Sequence, residues 1–268
     1  MYREPGVRGR ERVVYSGSHD GRRPEEEGIE RLFYEVMKFL ARPLTYILFW
    51  PVITGRRNIP AKGPGIFAGN HLGVGEPLLL LAFAPPQVTF PAKRELFRTD
   101  TLLRRLGAWF LRMIHQVPLD RTGGAASIDS LGSVYDVLES GGFVGIFPEG
   151  HRSPDGRLYK GHTGVARLAL TTNSPVIPFG CFRTRFVWKF LPFPWLFRPE
   201  LRFGKPFYLP EELRVAFMES GDRQAAIQAL RDGTELVMKA IQEITGQEMV
   251  GEYSLIHKKG PGAETHDA

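Results

Sequence analysis

The chain has 268 residues, of which 43% are hydrophobic and 24% are charged, a composition that predicts one folded core and excludes a fibrous or largely disordered protein. Its single cysteine, Cys181, excludes an internal disulfide framework and favours a reducing, cytoplasmic setting. The formal net charge is +6, and the stretch 181–210 carries six basic residues against one acidic residue. The positive charge is therefore concentrated in one short segment.

The N-terminal region divides into a polar tail and an amphipathic segment. Residues 1–28 hold six arginines and six acidic residues with no apolar stretch, which predicts a disordered tail. Apolar residues then recur every three or four positions, which predicts an amphipathic helix over 29–42. The longest apolar run, 43–53, has 11 residues, whereas a spanning helix needs about 20, so no transmembrane helix is predicted.

The apolar face of this predicted helix has two possible partners. Packing against the core is the ordinary one, but the apolar and aromatic run 46–50 that follows exceeds what the packing of one helix face needs. A membrane surface is therefore an equally good partner. On that interpretation the lipid contacts include Phe33, Leu40 and Trp50.

Beyond Pro64 the chain alternates short apolar runs with segments of helical period. This alternation predicts an α/β fold with a mostly parallel central sheet flanked by helices. One domain is expected over 29–251, followed by a loose C-terminal tail over 252–268. The predicted strands are 65–68, 88–91, 113–118, 143–147, 175–179 and 201–203, and the clearest helices are 127–140 and 223–244.

The loop after strand 65–68 contains the first candidate catalytic pair, His71 and Glu76. On one continuous helix, side chains five positions apart point about 140° away from each other. The two side chains therefore meet only if His71 lies in the loop and Glu76 begins the next helix, which the intervening glycines permit. A carboxylate on one imidazole nitrogen fixes the tautomer and leaves the other nitrogen free to accept a proton. Taken alone, a histidine followed by an acid is more often incidental.

The loop after strand 143–147 reads Pro-Glu-Gly-His-Arg-Ser over 148–153. A buried strand that delivers an acid, a glycine and an arginine into a turn suits recognition of a polar, anionic substrate. Gly150 allows close backbone approach, and Arg152 has the geometry to hold phosphate with two parallel hydrogen bonds. The alternative is a surface turn with a solvated charge pair.

Two further segments have features typical of anion or lipid contact. The loop after strand 113–118 contains Arg121 and precedes a helix whose free N–H groups suit an anion, although the residues of a nucleotide phosphate loop are absent. The basic stretch 181–210 also holds six large aromatic residues within 186–197. Cations mixed with aromatic rings are typical of a lipid headgroup boundary, so Trp188, Phe193 and Trp195 are predicted membrane contacts.

Together these residues resemble the glycerophospholipid acyltransferase family. The resemblance runs from about residue 29 to residue 207, with Lys93 where the family commonly has a lysine. Two positions depart from the family pattern: Glu76 stands in place of an aspartate, and His151 in place of a threonine. The resemblance rests on four ordered blocks: Asn70-His71 through Glu76 for N-H-x-x-x-x-D, Leu119-Asp120-Arg121, Phe147-Pro148-Glu149-Gly150 followed by Arg152-Ser153, and Pro175-Val176-Ile177-Pro178.

The resemblance implies direct transfer of a fatty acyl group from acyl-CoA or acyl carrier protein to a lysophospholipid such as lysophosphatidic acid, with no resident cofactor. His71 acts as general base and Glu76 stabilises the imidazolium. No G-x-S-x-G motif is present, so no acyl-enzyme is expected. The expected location is peripheral or monotopic, on the cytoplasmic face of a membrane that contains anionic lipid. The implied substrate-binding residues are Asn70, Lys93, Arg121, Glu149, Gly150, Arg152 and Ser153.

Parts of the sequence also suit three other classes of function. A metal hydrolase lacks an H-E-x-x-H helix or any closely spaced ligand pair, so no metal site is predicted. A nucleic-acid binder fits the pI of about 9.5, but the basic residues are interleaved with bulky apolar ones and no nucleic-acid motif is present, so no nucleic-acid partner is expected. A lipid-binding membrane-surface protein that has lost catalysis is the strongest alternative, because Glu76 departs from the family aspartate.

Overall fold

The computed structural model describes residues 24–73, 75–114, 116–119, 132–184 and 198–254. Seven strands form the main sheet in the order β1-β8-β7-β2-β5-β3-β4, and β6 pairs with β9 in a separate two-stranded sheet. The strands are β1 (Val52–Thr54), β2 (Gly65–Gly69), β3 (Val88–Lys93), β4 (Gln116–Leu119), β5 (Phe143–Ile146), β6 (Leu158–Tyr159), β7 (Val176–Phe182), β8 (Glu200–Phe203) and β9 (Met249–Val250). The helices are α1 (Pro24–Phe49), α2 (Gly75–Phe83), α3 (Leu102–Met113), α4 (Gly132–Glu139), α5 (Gly164–Thr172), α6 (Glu211–Met218) and α7 (Arg223–Thr245).

Neighbouring strands of the main sheet are parallel except for β7 and β8, which are antiparallel. The predicted α/β fold with a mostly parallel sheet is therefore confirmed. The six predicted strands are present, but β4 begins at Gln116 rather than at residue 113. Met113 instead ends α3, an amphipathic helix that was not predicted. The three other strands have two or three residues each, too few to show a periodicity in sequence.

The core lies on both faces of the sheet because successive side chains of a strand point to opposite sides. In β2, Ile66 and Ala68 belong to a cluster with residues of α4, α5 and α7, whereas Phe67 belongs to a cluster with residues of α2. All five residues of β2 are buried. This explains why the strand reads as an uninterrupted apolar run, and it fixes the position of the loop that follows.

Helix α1 is longer than the predicted 29–42, continues through Pro43 and begins within the predicted 1–28 tail. An internal proline costs a helix about 3 kcal/mol, and two contacts of the second half with α2 act against this cost. Tyr46 packs edge-to-face on Phe83 with ring centroids 5.3 Å apart, and Arg42 Nε donates to the Ala82 carbonyl at 2.7 Å. Within the described ranges, no helix is long and apolar enough to cross a bilayer.

Only one edge of the predicted apolar stripe of α1 packs on the domain: Phe33, a predicted lipid contact, is half-buried against the cluster that contains Leu81 and Ile114. Lys38 Nζ donates to the Pro85 carbonyl at 2.6 Å, and Tyr34 Oη accepts a hydrogen bond from the Val88 N–H at 3.2 Å. The other edge of the stripe faces solvent. Its exposed residues are Leu32, Val36, Phe39, Leu40, Leu44 and Ile47, followed by Trp50.

The start of the predicted loose tail, 252–254, packs against the domain. Helix α7 ends at Thr245 and is capped by Gly246, whose φ of 65° is the left-handed conformation that glycine adopts without strain. The chain then forms β9, and Tyr253 stacks on His162 with ring centroids 4.8 Å apart. The prediction of a tail beginning at 252 therefore missed the packing of 252–254, because a single aromatic contact leaves no periodic pattern in sequence.

Candidate active site

The candidate site lies where three adjacent strands end. Strands β5, β2 and β7 are parallel neighbours, so their carboxyl ends meet at the same edge of the sheet. The loop after β2 contains His71, the loop after β5 contains Glu149, and Thr184 follows β7. Loops at the carboxyl ends of strands are the usual binding region of open α/β sheets.

His71 and Glu76 are in direct contact. The distance from His71 Nδ1 to Glu76 Oε2 is 2.9 Å, which is that of a hydrogen bond. Glu76 is fully buried at the start of α2, whereas the His71 side chain is 20% exposed. The imidazole stacks on the Phe147 ring with centroids 4.2 Å apart and an interplanar angle of 17°. A proton on Nδ1 shared with the carboxylate leaves Nε2 as the basic nitrogen.

The second oxygen of Glu76 is held by three other donors. Glu76 Oε1 accepts from the Gly73 N–H at 2.8 Å, from the Leu72 N–H at 3.3 Å and from the hydroxyl of Thr184. The loop backbone thus closes around the longer glutamate side chain, while Oε2 stays on His71. Thr184 has no counterpart among the predicted site residues, because it lies 108 positions beyond Glu76 in sequence.

Glu149 joins the His71 loop to β6. Its Oε1 accepts from the His71 N–H and its Oε2 from the Tyr159 N–H, both at 3.0 Å. Burial raises the pKa of this carboxyl to about 7, although the two backbone N–H groups act in the opposite direction. Both oxygens are thus hydrogen-bonded to backbone. The predicted role of Glu149 in shaping an acceptor site stays a prediction.

Gly150 adopts a left-handed φ of 72°. A Cβ at this position would lie 3.0 Å from Cδ2 of His162, so a larger residue would be both strained and crowded. Close approach of a substrate to Gly150 stays a prediction. In the structure, the group that lies close to Gly150 is the ring of His162.

Asn70 and Ser153 hold the two loops in place. The Asn70 side chain accepts from the Cys181 N–H at 2.7 Å and donates to the Cys181 carbonyl at 3.0 Å, so it extends the pairing of β2 with β7 by one residue. The Ser153 N–H donates to the His71 carbonyl at 2.7 Å. Both residues are almost fully buried. Their predicted contact with substrate stays a prediction.

Two of the predicted cationic residues lie within the described part of the chain. Lys93 is the last residue of β3, the strand beside β5, and Arg152 is exposed in the loop after β5. Arg121 lies outside the described residues, as do Trp188, Phe193 and Trp195. Among the residues that the structure does describe, no three His, Cys, Asp or Glu side chains are grouped as metal ligands.

Comparison with known proteins shows where this chain belongs. A family model described as Acyltransferase matches residues 51–181, which include His71, Glu76 and Glu149. The 1-acyl-sn-glycerol-3-phosphate acyltransferase of Bacillus subtilis is 32% identical over 146 residues, covering 53% of this chain and 68% of that protein. The chain belongs to the acyltransferase family.

A second relative and a solved structure are also similar to this chain. The 1-acyl-sn-glycerol-3-phosphate acyltransferase of Borreliella burgdorferi is 33% identical over 141 residues, which are 50% of this chain and 51% of that protein. The chain thus spans about half the length of this relative. The crystal structure of the acyltransferase PlsC from Thermotoga maritima has a TM-score of 0.52 and 24% identity, covering 81% of this chain and 84% of that one. That similarity shows the fold.

Proposed function

We propose that this member of the acyltransferase family transfers a fatty acyl group from acyl-CoA or acyl carrier protein to the hydroxyl of a lysophospholipid, with lysophosphatidic acid as the expected acceptor. The observation that carries the proposal is the hydrogen bond between His71 and the fully buried Glu76 at the carboxyl edge of the sheet. The printed names of the relatives from Bacillus subtilis and Borreliella burgdorferi support the choice of acceptor.

The pair suits general-base catalysis. Nε2 of His71 takes the proton of the acceptor hydroxyl as the oxygen attacks the thioester carbonyl. Glu76 stabilises the imidazolium that forms, and its own geometry is fixed by its bonds to the Gly73 N–H and Thr184 hydroxyl. Collapse of the tetrahedral intermediate breaks the carbon–sulfur bond, and the imidazolium returns the proton to the leaving thiolate. Acyl transfer then needs no covalent enzyme intermediate.

Cationic side chains around this edge are proposed to bind the phosphate groups of the substrates. Arg152 is exposed in the loop that follows β5, and Lys93 ends the neighbouring strand. Arg121 is assigned the same role from sequence. A guanidinium matches phosphate with two parallel hydrogen bonds, so Arg152 is the better single candidate for replacement.

A membrane surface is the proposed location of the reaction. The outward apolar stripe of α1 lies beside α3, where Phe33 and Trp109 pack edge-to-face at 5.6 Å. On α3 the side chains of Leu102 and Leu103 are about four-fifths exposed. Exposed arginines on the same helix suit anionic headgroups. Arg105 lies next to these leucines, whereas the neighbouring Arg104 already pairs with Asp100. We place the protein peripherally on the cytoplasmic face, where the acyl donors and a reducing environment are expected.

A thiol-release assay tests the activity. Purified protein is incubated with acyl-CoA or acyl carrier protein and with a panel of lysolipid acceptors, with His71→Ala as the inactive control. The expected result is thiol release that requires both an acceptor and His71. Binding of lysolipid without thiol release from any donor would instead support the alternative of a lipid-binding protein without catalysis.

Vesicle sedimentation tests the membrane surface. Replacing Leu102 and Leu103 with serine should release the protein from anionic vesicles, while activity on detergent-dispersed substrate is retained. The matched control is the serine pair at Ile227 and Leu236, two exposed apolar residues of α7. If both pairs sediment like wild type, α3 does not contact lipid.

The aromatic segment needs its own variant because it lies outside the described residues. Replacing Trp188, Phe193 and Trp195 with serine should weaken vesicle binding and leave activity on dispersed substrate largely intact. Unchanged sedimentation of this variant would assign those side chains to the core.

A further inference from the structure

The segment that follows α7 contacts both loops of the candidate site, although it lies beyond residues 51–181 that the family model matches. Gln247 provides the first link. Its Oε1 accepts from Nδ2 of Asn70 at 2.9 Å, and its Nε2 donates to the Gly156 carbonyl. Asn70 is buried and directly precedes His71 in the chain. Gln247 therefore satisfies the remaining amide N–H of Asn70, the residue at which the loop containing His71 begins.

Strand β9 provides the second link. It pairs in parallel with β6, and the N–H groups of Leu158 and Lys160 donate to the carbonyls of Glu248 and Glu252, both at 2.9 Å. Alternate residues of a strand point their N–H groups to opposite sides. The Tyr159 N–H accordingly points away from β9 and donates to Glu149, the residue that holds the His71 N–H.

Tyr253 anchors the end of the segment. Its ring stacks on His162 at 4.8 Å, and the cationic groups of Lys160 and Arg231 lie 5.5 and 5.6 Å from its centroid. Cations at this distance from an aromatic ring are attracted to its face. The His162 N–H in turn donates to the Pro148 carbonyl at 2.8 Å, so this anchor rests against the loop that contains Glu149.

We propose that residues 247–253 form a C-terminal clamp that positions the catalytic histidine, and that Gln247 is a positioning residue acting on His71 through Asn70. The proposal rests on the proposed function for its kinetic readout. The clamp acts at two points: Gln247 holds the start of the His71 loop, and β9 holds β6 so that Glu149 keeps its bond to the His71 N–H.

The proposal predicts a local effect that general stabilisation would not produce. Gln247→Met keeps the side-chain length but leaves one amide N–H of the buried Asn70 without a partner. Leaving a buried donor unpaired should raise local opening of the His71 loop by roughly tenfold. Amide hydrogen exchange of a peptide covering 70–73 measures this opening. The β5 and α7 peptides should exchange as in wild type.

The kinetic readout is the split between kcat and KM in the thiol-release assay. A mispositioned base lowers kcat, here by roughly tenfold, because even a displacement of about 1 Å can cost on the order of 10² in rate. KM for both substrates should stay unchanged. Gln228→Met is the matched control, since Gln228 lies on α7 and donates an exposed hydrogen bond to Asp232. It should change neither exchange nor kcat.

A second pair of variants tests the clamp without touching Gln247. Tyr253→Ala should release β9 and increase exchange of both the 158–160 and the 70–73 peptides, whereas Tyr253→Phe keeps the stacked ring and should behave as wild type. The proposal would be overturned if exchange increased equally in all peptides. It would also be overturned if exchange of the 70–73 peptide were unchanged in either Gln247→Met or Tyr253→Ala. If the wild-type protein transfers no acyl group, the proposed function fails, and the exchange data still decide whether the clamp exists.

Discussion

Replacing Glu76 with glutamine tests the central contact of the site with almost no change in side-chain volume. Glu76 Oε2 accepts the Nδ1–H of His71 at 2.9 Å, whereas an amide nitrogen at that position would donate. The proton of the imidazole would then move to Nε2, the nitrogen that must accept a proton from the acceptor hydroxyl. The variant therefore holds the wrong tautomer and also lacks the negative charge that stabilises the imidazolium.

The expected loss of activity is large and the expected loss of stability is small. A catalytic histidine that is held in the wrong tautomer lowers kcat by a factor on the order of 10³ to 10⁴. Because the amide oxygen still accepts from the Gly73 N–H and the Thr184 hydroxyl, the free energy of unfolding should fall by no more than about 1.5 kcal/mol. Thiol release gives the first quantity, and denaturant titration gives the second.

Glu76→Asp is the matched comparison because it keeps the charge and shortens the reach. Loss of one methylene withdraws the carboxylate by about 1.5 Å, which takes the contact with His71 beyond hydrogen-bonding distance unless the loop moves. We expect partial activity, reduced roughly ten- to hundredfold. If Glu76→Gln were as active as wild type, the pair would not be the catalytic machinery, and the lipid-binding alternative would be the better one.

Three further replacements have distinct expected outcomes. His71→Ala should lower the rate by about 10² to 10⁴ without unfolding the protein, and more than about a tenth of wild-type activity would contradict its role. Cys181→Ala should leave activity nearly unchanged, since burial raises the pKa of the thiol well above its usual value; a radiolabelled acyl group trapped on Cys181 would refute this. Because burial raises the pKa of Glu149 to about 7, its stabilising contribution is fully present below its unfolded pKa of about 4.3 and is lost as the pH rises to about 7. Between about pH 5 and about pH 8, the free energy of unfolding should therefore decrease less for Glu149→Gln than for wild type. Denaturant titration at both pH values measures this, and equal decreases would contradict the assignment.

Features that depend on neighbouring residues could be predicted from the sequence. Strand β2 was recognisable because both its faces are buried, which requires an unbroken apolar run. The contact between His71 and Glu76 was permitted by local backbone freedom, since it needs only a loop that turns before the next helix. The family resemblance was needed to predict it, because a histidine followed by an acid is more often incidental. Local periodicity found the loop containing Glu149 at the end of β5.

Contacts between distant parts of the chain were decided by the tertiary structure alone. The partners that Glu76 finds in Thr184 and Asn70 finds in Gln247 are 108 and 177 positions away. No local sequence pattern predicts such pairs, because the residues become neighbours only through the order of the strands in the sheet. Helix α1 is a second example. Its hydrophobic period predicted an apolar stripe, but it did not predict that Tyr34 and Lys38 form hydrogen bonds with the domain. The face of a helix that packs depends on which groups the rest of the fold places beside it. Here those groups are the carbonyl of Pro85 and the N–H of Val88.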